Sequence, residues 1–505
     1  MQHPFHFRSQ KITEPSVNMH HFLIPAFLIA VALSAAARPI VTAPSLFSDP
    51  KFAKEFVGTY GILSDVEPRV SAPEQELLGR VRELFEASKY KEAEAEIQKY
   101  MEEVKNPPRR RRGEEAPPTE VSPSLIFVLG NLYFQAGRQE EARQRFMEAI
   151  EKFPRFRRAH TNLGFLYISQ NKMNLALPMF QRAVELGESS GRVYGLIGYC
   201  HLSAGNPLAA ENAYRQAYLL DPNARDWKLG LTQSLVAQEK HAEAISMIGS
   251  LLKENPNDKA LWMQQASSYL AMEKKQDAIL NLEILRRKGL ADEGNLTLLG
   301  NLHMDGGEPG MALVAYQEAI KNATRLDLSK VLKSARILTD YGAPTQADEL
   351  LSTVRKAAGS TLSSEDQGAI ALTEVRIARG LADQARVSRV LEELLASRPA
   401  DPEVLLETAR HKDERTRDME EGEARSALVR EARTHYQLAV RSESTAYAAN
   451  LGLGQMFVRE KRYDEAMPHL EAALQAKRSE SLEQYVSRVR RAADRITQRK
   501  EGEQG

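Results

Sequence analysis

The chain has 505 residues, 42% of them apolar and 27% charged, which is the composition of a folded protein of several hydrophobic units and excludes wholesale disorder. Lys+Arg and Asp+Glu are equal at 68 each, so no net field draws the molecule to nucleic acid or to an anionic membrane, and any charge signal has to be local. The single cysteine, Cys200, excludes an intramolecular disulfide and a cysteine-based metal cluster.

The first element is the apolar run FLIPAFLIAVAL, Phe22 to Leu33, interrupted by Pro25 and too short to span a bilayer comfortably. Ala35, Ala36 and Ala37 supply the small residues of a cleavage site, and Arg8 and Lys11 precede the run with Glu14 opposing them. Residues 1–37 therefore read as a signal peptide, with a membrane anchor built on residues 22–37 as the alternative and with Met1 and Met19 both open as the start. The expectation is a periplasmic or secreted chain with no membrane span after cleavage. No cysteine lies close after the run, which excludes a lipoprotein anchor there. Residues 38–73 are expected to be irregular, residues 74–106, with SKYKEAEAEIQKY, to form a degenerate helical pair, and residues 107–122 to be a Pro/Arg-rich linker. Arg109 to Arg112, set between prolines and glutamates, reads as a solvated loop, with a nuclear signal, a protease site or a polyanion patch as the sharper alternatives.

From Ala142 a step of 34 residues reaches Ala176, Ala210, Ala244, Ala278 and Ala312. Four residues after each stands Phe146, Phe180, Tyr214, Ile248, Leu282 or Tyr316, and seven after stands Ala149, Ala183, Ala217, Leu251, Leu285 or Ala319. Those offsets define one face of a helix. Twelve residues before each alanine lies a small residue, Gly130, Gly164, Gly198, Thr232, Ala266 or Gly300, and Tyr133, Tyr167 and Tyr269 follow three of these by one turn, which defines a preceding helix. The two stripes must face each other, and the small residues let the backbones approach. The connections agree: AGRQ at 136–139, SAGN at 203–206 and DGGE at 305–308 separate the helices, Pro207 and Pro309 sit where a first turn needs no N–H, and Pro154, Pro222 and Pro256 end second helices.

This pattern resembles the tetratricopeptide repeat, whose 34-residue signature runs W-x2-L-G-x2-Y, A-x3-F, P. Residues 123–156, 157–190 and 191–224 match it closely, and 225–258, 259–292 and 293–326 keep the register with substitutions, Trp262 restoring the tryptophan. The resemblance implies an all-α fold, a right-handed superhelical solenoid of helix-turn-helix repeats, with six consecutive repeats over 123–326. Residues 327–446 read as degenerate pairs, near 328–361 and 368–401, with an insertion near 411–426 that lengthens one connection by about eleven residues. YDEAMPHLEAAL marks a further repeat at 447–480, and residues 481–505 a capping helix and tail, with Leu482, Tyr485, Val486, Val489, Ala493 and Ile496 as its apolar stripe.

In that family the first helices line a concave groove, and carrying the groove positions over residue by residue selects Phe127, Asn131, Phe134 and Gln135; Arg158, Thr161, Phe165 and Ile168; and Arg192 and Tyr199. An aromatic floor with a basic rim suits an extended peptide bearing acids. The family's carboxylate clamp is matched at Asn131, Asn162 and Arg192, whereas Phe127 and Leu196 replace two of its cations.

Nothing in the chain spells out chemistry. After His20-His21 no histidines are spaced i, i+4, and no H-E-x-x-H, G-x-S-x-G or P-loop motif occurs. His201 and His303 take the aromatic position of a first helix and read as packing residues, and Cys200 faces away from its neighbour His201. Two glycosylation sequons, at Asn295 and Asn322, matter only in a glycosylating pathway. The expectation is a non-enzymatic, exported scaffold without cofactor or metal, binding a protein or peptide partner and no nucleic acid, in an envelope or secretion assembly. The alternative is a cytosolic co-chaperone or adaptor, and a catalytic domain hidden in 327–446 is the third reading.

Overall fold

The structure, a computed structural model, describes residues 65–107, 120–359 and 362–504. The apolar run, the cleavage site and Arg109 to Arg112 lie outside the described residues. Within them the chain is helical, without a strand. An N-terminal pair, α1 (Ala72–Glu86) and α2 (Tyr90–Lys105), precedes the repeats. The regular pairs are α3 (Pro123–Gln135) with α4 (Gln139–Lys152), α5 (Arg157–Ser169) with α6 (Met173–Glu185), α7 (Gly191–Ser203) with α8 (Pro207–Leu220), α9 (Arg225–Ala237) with α10 (His241–Glu254), α11 (Lys259–Ala271) with α12 (Lys275–Arg287), and α13 (Glu293–Asp305) with α14 (Pro309–Asn322). Then follow α15 (Leu328–Asp340) with α16 (Pro344–Ala358), α17 (Ser364–Gly380) with α18 (Gln384–Ser397), α19 (Pro402–Thr416) with α20 (Glu423–Ala439), α21 (Glu443–Arg459) with α22 (Tyr463–Ala476), and a single α23 (Glu480–Gln504). The described residues divide into two compact units, one ending at Asn281 and the other beginning at Leu282, inside α12.

The small and large residues at the repeat's marked positions are locked together in size. An added Cβ on Gly130 would lie 2.8 Å from the Phe146 ring, one on Gly164 2.6 Å from Phe180, one on Gly198 2.9 Å from Tyr214 and one on Gly300 2.4 Å from Tyr316. The glycine thus makes room for the aromatic ring of the paired helix, which is a different reason for smallness from the backbone approach expected of it. Where the small residue grows to Thr232, the residue sixteen positions on shrinks to Ile248, and Ala266 is likewise followed by Leu282 in the sequence. All six register alanines are fully buried.

The turn within each regular pair has a fixed geometry that only part of the sequence advertises. Residues 137, 171, 205, 239, 273 and 307, again 34 apart, all have positive φ, between 58° and 76°. In each pair the next N–H donates back five residues, as Arg138 does to the Tyr133 carbonyl and Glu308 to the His303 carbonyl at 2.8 Å, which satisfies a carbonyl at the end of the first helix. Glycine fills this left-handed position at 137, 205 and 307, but Asn171, Glu239 and Glu273 do not. An L-residue there costs roughly 1–2 kcal/mol, offset in part by glycine's larger entropy when unfolded. Glu273→Gly, at an exposed site, is therefore expected to raise the stability of its unit by about 0.5–1 kcal/mol. Urea denaturation followed by circular dichroism checks the sign; a fall in midpoint would mean that the Glu273 side chain contributes more than its backbone costs.

In the unit beginning at Leu282 the repeat loosens, and ion pairs join its helices within and between pairs. Arg386 of α18 reaches Asp348 of α16 at 2.8 Å and Glu374 of α17 at 2.7 Å, and Arg379 of α17 reaches Glu407 of α19 at 2.7 Å. Arg459, the last residue of α21, grips both carboxylate oxygens of Asp413 in α19. These contacts correct the expectation of a connection about eleven residues longer at 411–426. The connection is Arg417 to Gly422, and most of the extra residues lengthen α19 and α20 to 15 and 17 residues. The reason is visible in the last turn of α19, where His411, Asp413 and Thr416 are buried; His411 Nε2 lies 2.7 Å from Ser388 Oγ, and Thr416 Oγ1 donates to the Asp413 carbonyl at 2.6 Å. At the C-terminus Leu482, Tyr485, Val486 and Val489 of α23 are buried, and Ala492 rather than Ala493 continues the stripe. The side chain of Ile496 lies outside the described residues.

Candidate interaction surface

The candidate surface is carried by the first helices α3, α5 and α7. The structure sorts its expected residues into two sets. Phe127, Asn131, Thr161, Phe165, Ile168 and Tyr199 are buried, whereas Phe134, Gln135, Arg158 and Arg192 keep partial exposure. Phe127 is 1% exposed, its ring 4.9 Å from Phe156 and 5.7 Å from Phe146, and Phe165 meets Phe180 edge-on at 5.5 Å. These aromatics back onto the hydrophobic core and do not present an open floor. The cause is the ring of the second helix: with Phe146 seated over Gly130 and Phe180 over Gly164, Phe127 and Phe165 each find an aromatic partner there.

The polar members are fixed in the same way. Asn162 donates to Asn131 Oδ1 at 2.9 Å, a buried side-chain pair joining α5 to α3, so both asparagines have a structural partner. Thr161 Oγ1 donates to the Arg157 carbonyl at 3.1 Å. The exposed character of the surface is set by its basic residues. Arg158 lies over the Phe127 ring at 5.6 Å and the Phe156 ring at 6.0 Å, a cation–π placement that holds the guanidinium at the edge of the aromatic layer.

A segment not expected at this place meets that guanidinium. Residues 65–71, DVEPRVS, leave a turn and run without helix to the start of α1. Arg158 Nε donates to Glu67 Oε2 at 2.9 Å with Nη2 2.8 Å from the same oxygen, and Arg157 Nη2 stands 3.6 Å from Glu67 Oε1. The Arg157 amide, one of the N–H groups left unsatisfied at a helix start, donates to the Val66 carbonyl at 3.2 Å. Ser124 Oγ at the start of α3 donates to the Pro68 carbonyl at 3.3 Å, Pro68 is buried, and Val70 packs on the core. Glu74 closes the arrangement, accepting the Ser122 amide at 2.9 Å and the Ser71 amide at 3.2 Å. The one sequence signal for this segment was Pro68, which biases Glu67 toward an extended backbone; nothing in the periodicity indicates what it lies against.

The other candidates are packing residues. Cys200 is buried, and burial pushes its thiol up to about 12, which leaves no thiolate near neutral pH. His303 is buried with Nδ1 3.0 Å from Glu308 and Nε2 3.6 Å from Glu283, and His201 is partly exposed. Burial also depresses His411, to about 4, with Arg415, Arg379 and Lys412 adding to the effect. The sequon residue Asn295 is buried in a capping box, exchanging hydrogen bonds with Asp292 at the start of α13. Among the described residues no group of three or more His, Cys, Asp or Glu is placed to hold a metal ion, and no helix is long and apolar enough to cross a membrane.

Comparison with known proteins points the same way as the spacing. A tetratricopeptide-repeat sequence profile matches residues 127–192 and 423–481, and a second profile of the same description matches 201–267. The chain is 32% identical over 105 residues to the Hsp70-Hsp90 organizing protein of Triticum aestivum, covering 21% of this chain and 18% of that protein. It is 27% identical over 172 residues to the mitochondrial import receptor subunit TOM70 of Saccharomyces cerevisiae, covering 32% of this chain and 27% of that one. The chain thus spans less than a third of the length of either relative. A solved tetratricopeptide repeat protein from Parabacteroides merdae is similar at 16% identity and a TM-score of 0.32, covering 53% of this chain and 98% of that chain.

Proposed function

Because the chain belongs to the tetratricopeptide-repeat family, we propose that it is a protein-interaction scaffold whose first-helix surface on α3, α5 and α7 binds an extended, acid-bearing segment of a partner protein. One observation carries this reading: Arg158, at the position that Arg192 repeats 34 residues on, engages a carboxylate of an extended stretch of chain, and the helix-start amide beside it takes a carbonyl of the same stretch. The aromatics beneath give that basic edge a rigid support, so recognition rests on charge and backbone hydrogen bonds more than on deep apolar pockets. The run at 22–33 and the alanines after it support export, and an envelope or secretion complex as the setting. N-terminal sequencing of a mature chain beginning at Arg38 would bear out the cleaved signal peptide and with it export, and a retained Met1 or Met19 would refute the cleavage and leave the anchor built on residues 22–37 or a cytosolic chain.

The test of binding is a partner captured from the native envelope and titrated against the wild type and the pair Arg158→Glu with Arg192→Glu at low salt. Reversing both charges introduces repulsion toward an acidic segment, so affinity is expected to fall with helicity unchanged. Equal affinities would move the binding site off this surface.

A further inference from the structure

The stretch that Arg158 engages is part of the chain itself, and that has a consequence for binding. We infer that residues Val66 to Val70 are an internal occupant of the α3/α5 surface, competing with an external extended segment that carries a carboxylate followed by proline. This inference rests on the reading of that surface as a segment-binding site, and it adds both the chemistry of the segment and its control.

The contacts are those of a bound peptide. Backbone carbonyls of Val66 and Pro68 accept from the Arg157 amide and Ser124 Oγ, the Glu67 carboxylate sits on Arg158, and Pro68 is buried. Recognition by main-chain bonds, one charge and one fixed-φ residue suits any segment with the same spacing. The hold is also incomplete. Glu67 Oε1 accepts no hydrogen bond, its nearest cation being Arg157 Nη2 at 3.6 Å, and Arg157 Nε is likewise buried without an acceptor, so the occupant leaves a donor that an external carboxylate of better geometry can satisfy. The ion pair is partly exposed, with side-chain exposures of 23% for Arg158 and 14% for Glu67, which makes it weaker than a fully buried pair and compatible with exchange. The covalent link gives the resident segment a high effective concentration, so the site is closed by default and an outside segment has to displace it.

The experiment uses the full chain and a fluorescein-labelled nonapeptide of the chain's own residues 64–72, SDVEPRVSA, with a scrambled peptide as control. Anisotropy titrations compare the wild type, Glu67→Arg, and the charge swap Glu67→Arg with Arg158→Glu. Glu67→Arg places a third cation against Arg157 and Arg158 and should release the segment. Opening a site that is occluded about nine-tenths of the time raises apparent affinity about tenfold. The charge swap should close the site again and leave the peptide, which carries glutamate, without its arginine. Hydrogen exchange separates release from unfolding: in Glu67→Arg the Arg157 amide should lose protection while the rest of α5 keeps it. Equal peptide affinity for wild type and Glu67→Arg would overturn the internal occupant and leave the binding surface standing. Failure of the peptide to bind either protein overturns the inference as well, and the surface then stands or falls on the captured-partner titration with Arg158 and Arg192 reversed.

Discussion

Phe180→Ala is expected to destabilise the unit that ends at Asn281 by about 3–5 kcal/mol, the range for truncating a large buried aromatic. The ring is fully buried, sits over Gly164 and meets Phe165 edge-on, so the lost volume borders two helices that cannot collapse inward without losing the 34-residue register. The reverse change, Gly164→Ala, drives a Cβ to within 2.6–2.9 Å of three atoms of the same ring and should cost about 1–3 kcal/mol by overpacking. The two sites occupy one space, so Gly164→Ala with Phe180→Leu, the combination the sequence itself uses at Ala266 and Leu282, should be well below additive. Urea denaturation of the wild type, Gly164→Ala, Phe180→Leu and the double variant measures the coupling. Full additivity would show that the glycine is small for a reason other than the ring. Because each repeat touches its neighbours, hydrogen exchange should show the loss confined to α3 through α8, with residues 447–480 unaffected.

Asp413→Ala should markedly destabilise the unit beginning at Leu282. Asp413 is 3% exposed and both its carboxylate oxygens accept from Arg459, so removing it deprives that guanidinium of the buried carboxylate joining α19 to α21. Breaking one partner of a buried pair costs about 3–5 kcal/mol, and the lower end applies here because Arg459 retains 24% exposure. Arg417 provides the contrast: it lies 3.8 Å from the same carboxylate but is 46% exposed, so Arg417→Ala should cost about 0–1 kcal/mol. Thermal unfolding of both variants separates the two; a comparable fall for both would mean that Asp413 matters for its place in the last turn of α19 and not for the pair.

The sequence by itself determined the parts of this protein that repeat. Six alanines at one spacing, with a large residue four positions later and a small one twelve positions earlier, are enough to specify two facing helices, because helical periodicity turns spacing into direction. The register also carried the turn, although only the three glycines announced it; Asn171, Glu239 and Glu273 take the same left-handed geometry because the paired helices impose it. The tertiary structure alone decided what does not repeat. Phe127 and Phe165 sit at groove positions by spacing, yet Phe146, Phe156 and Phe180 draw them into the core, and contacts between layers have no periodicity along the chain. The partners of Arg379 and Asp413 lie 28 and 46 residues away, at separations that no repeat length predicts. Glu67 is 91 residues from Arg158, and an extended stretch of five residues has too few side chains to reveal its position by pattern. Spacing fixes which residues share a face, and only the packing of one face on another determines which of them meet a partner and which remain accessible to another protein.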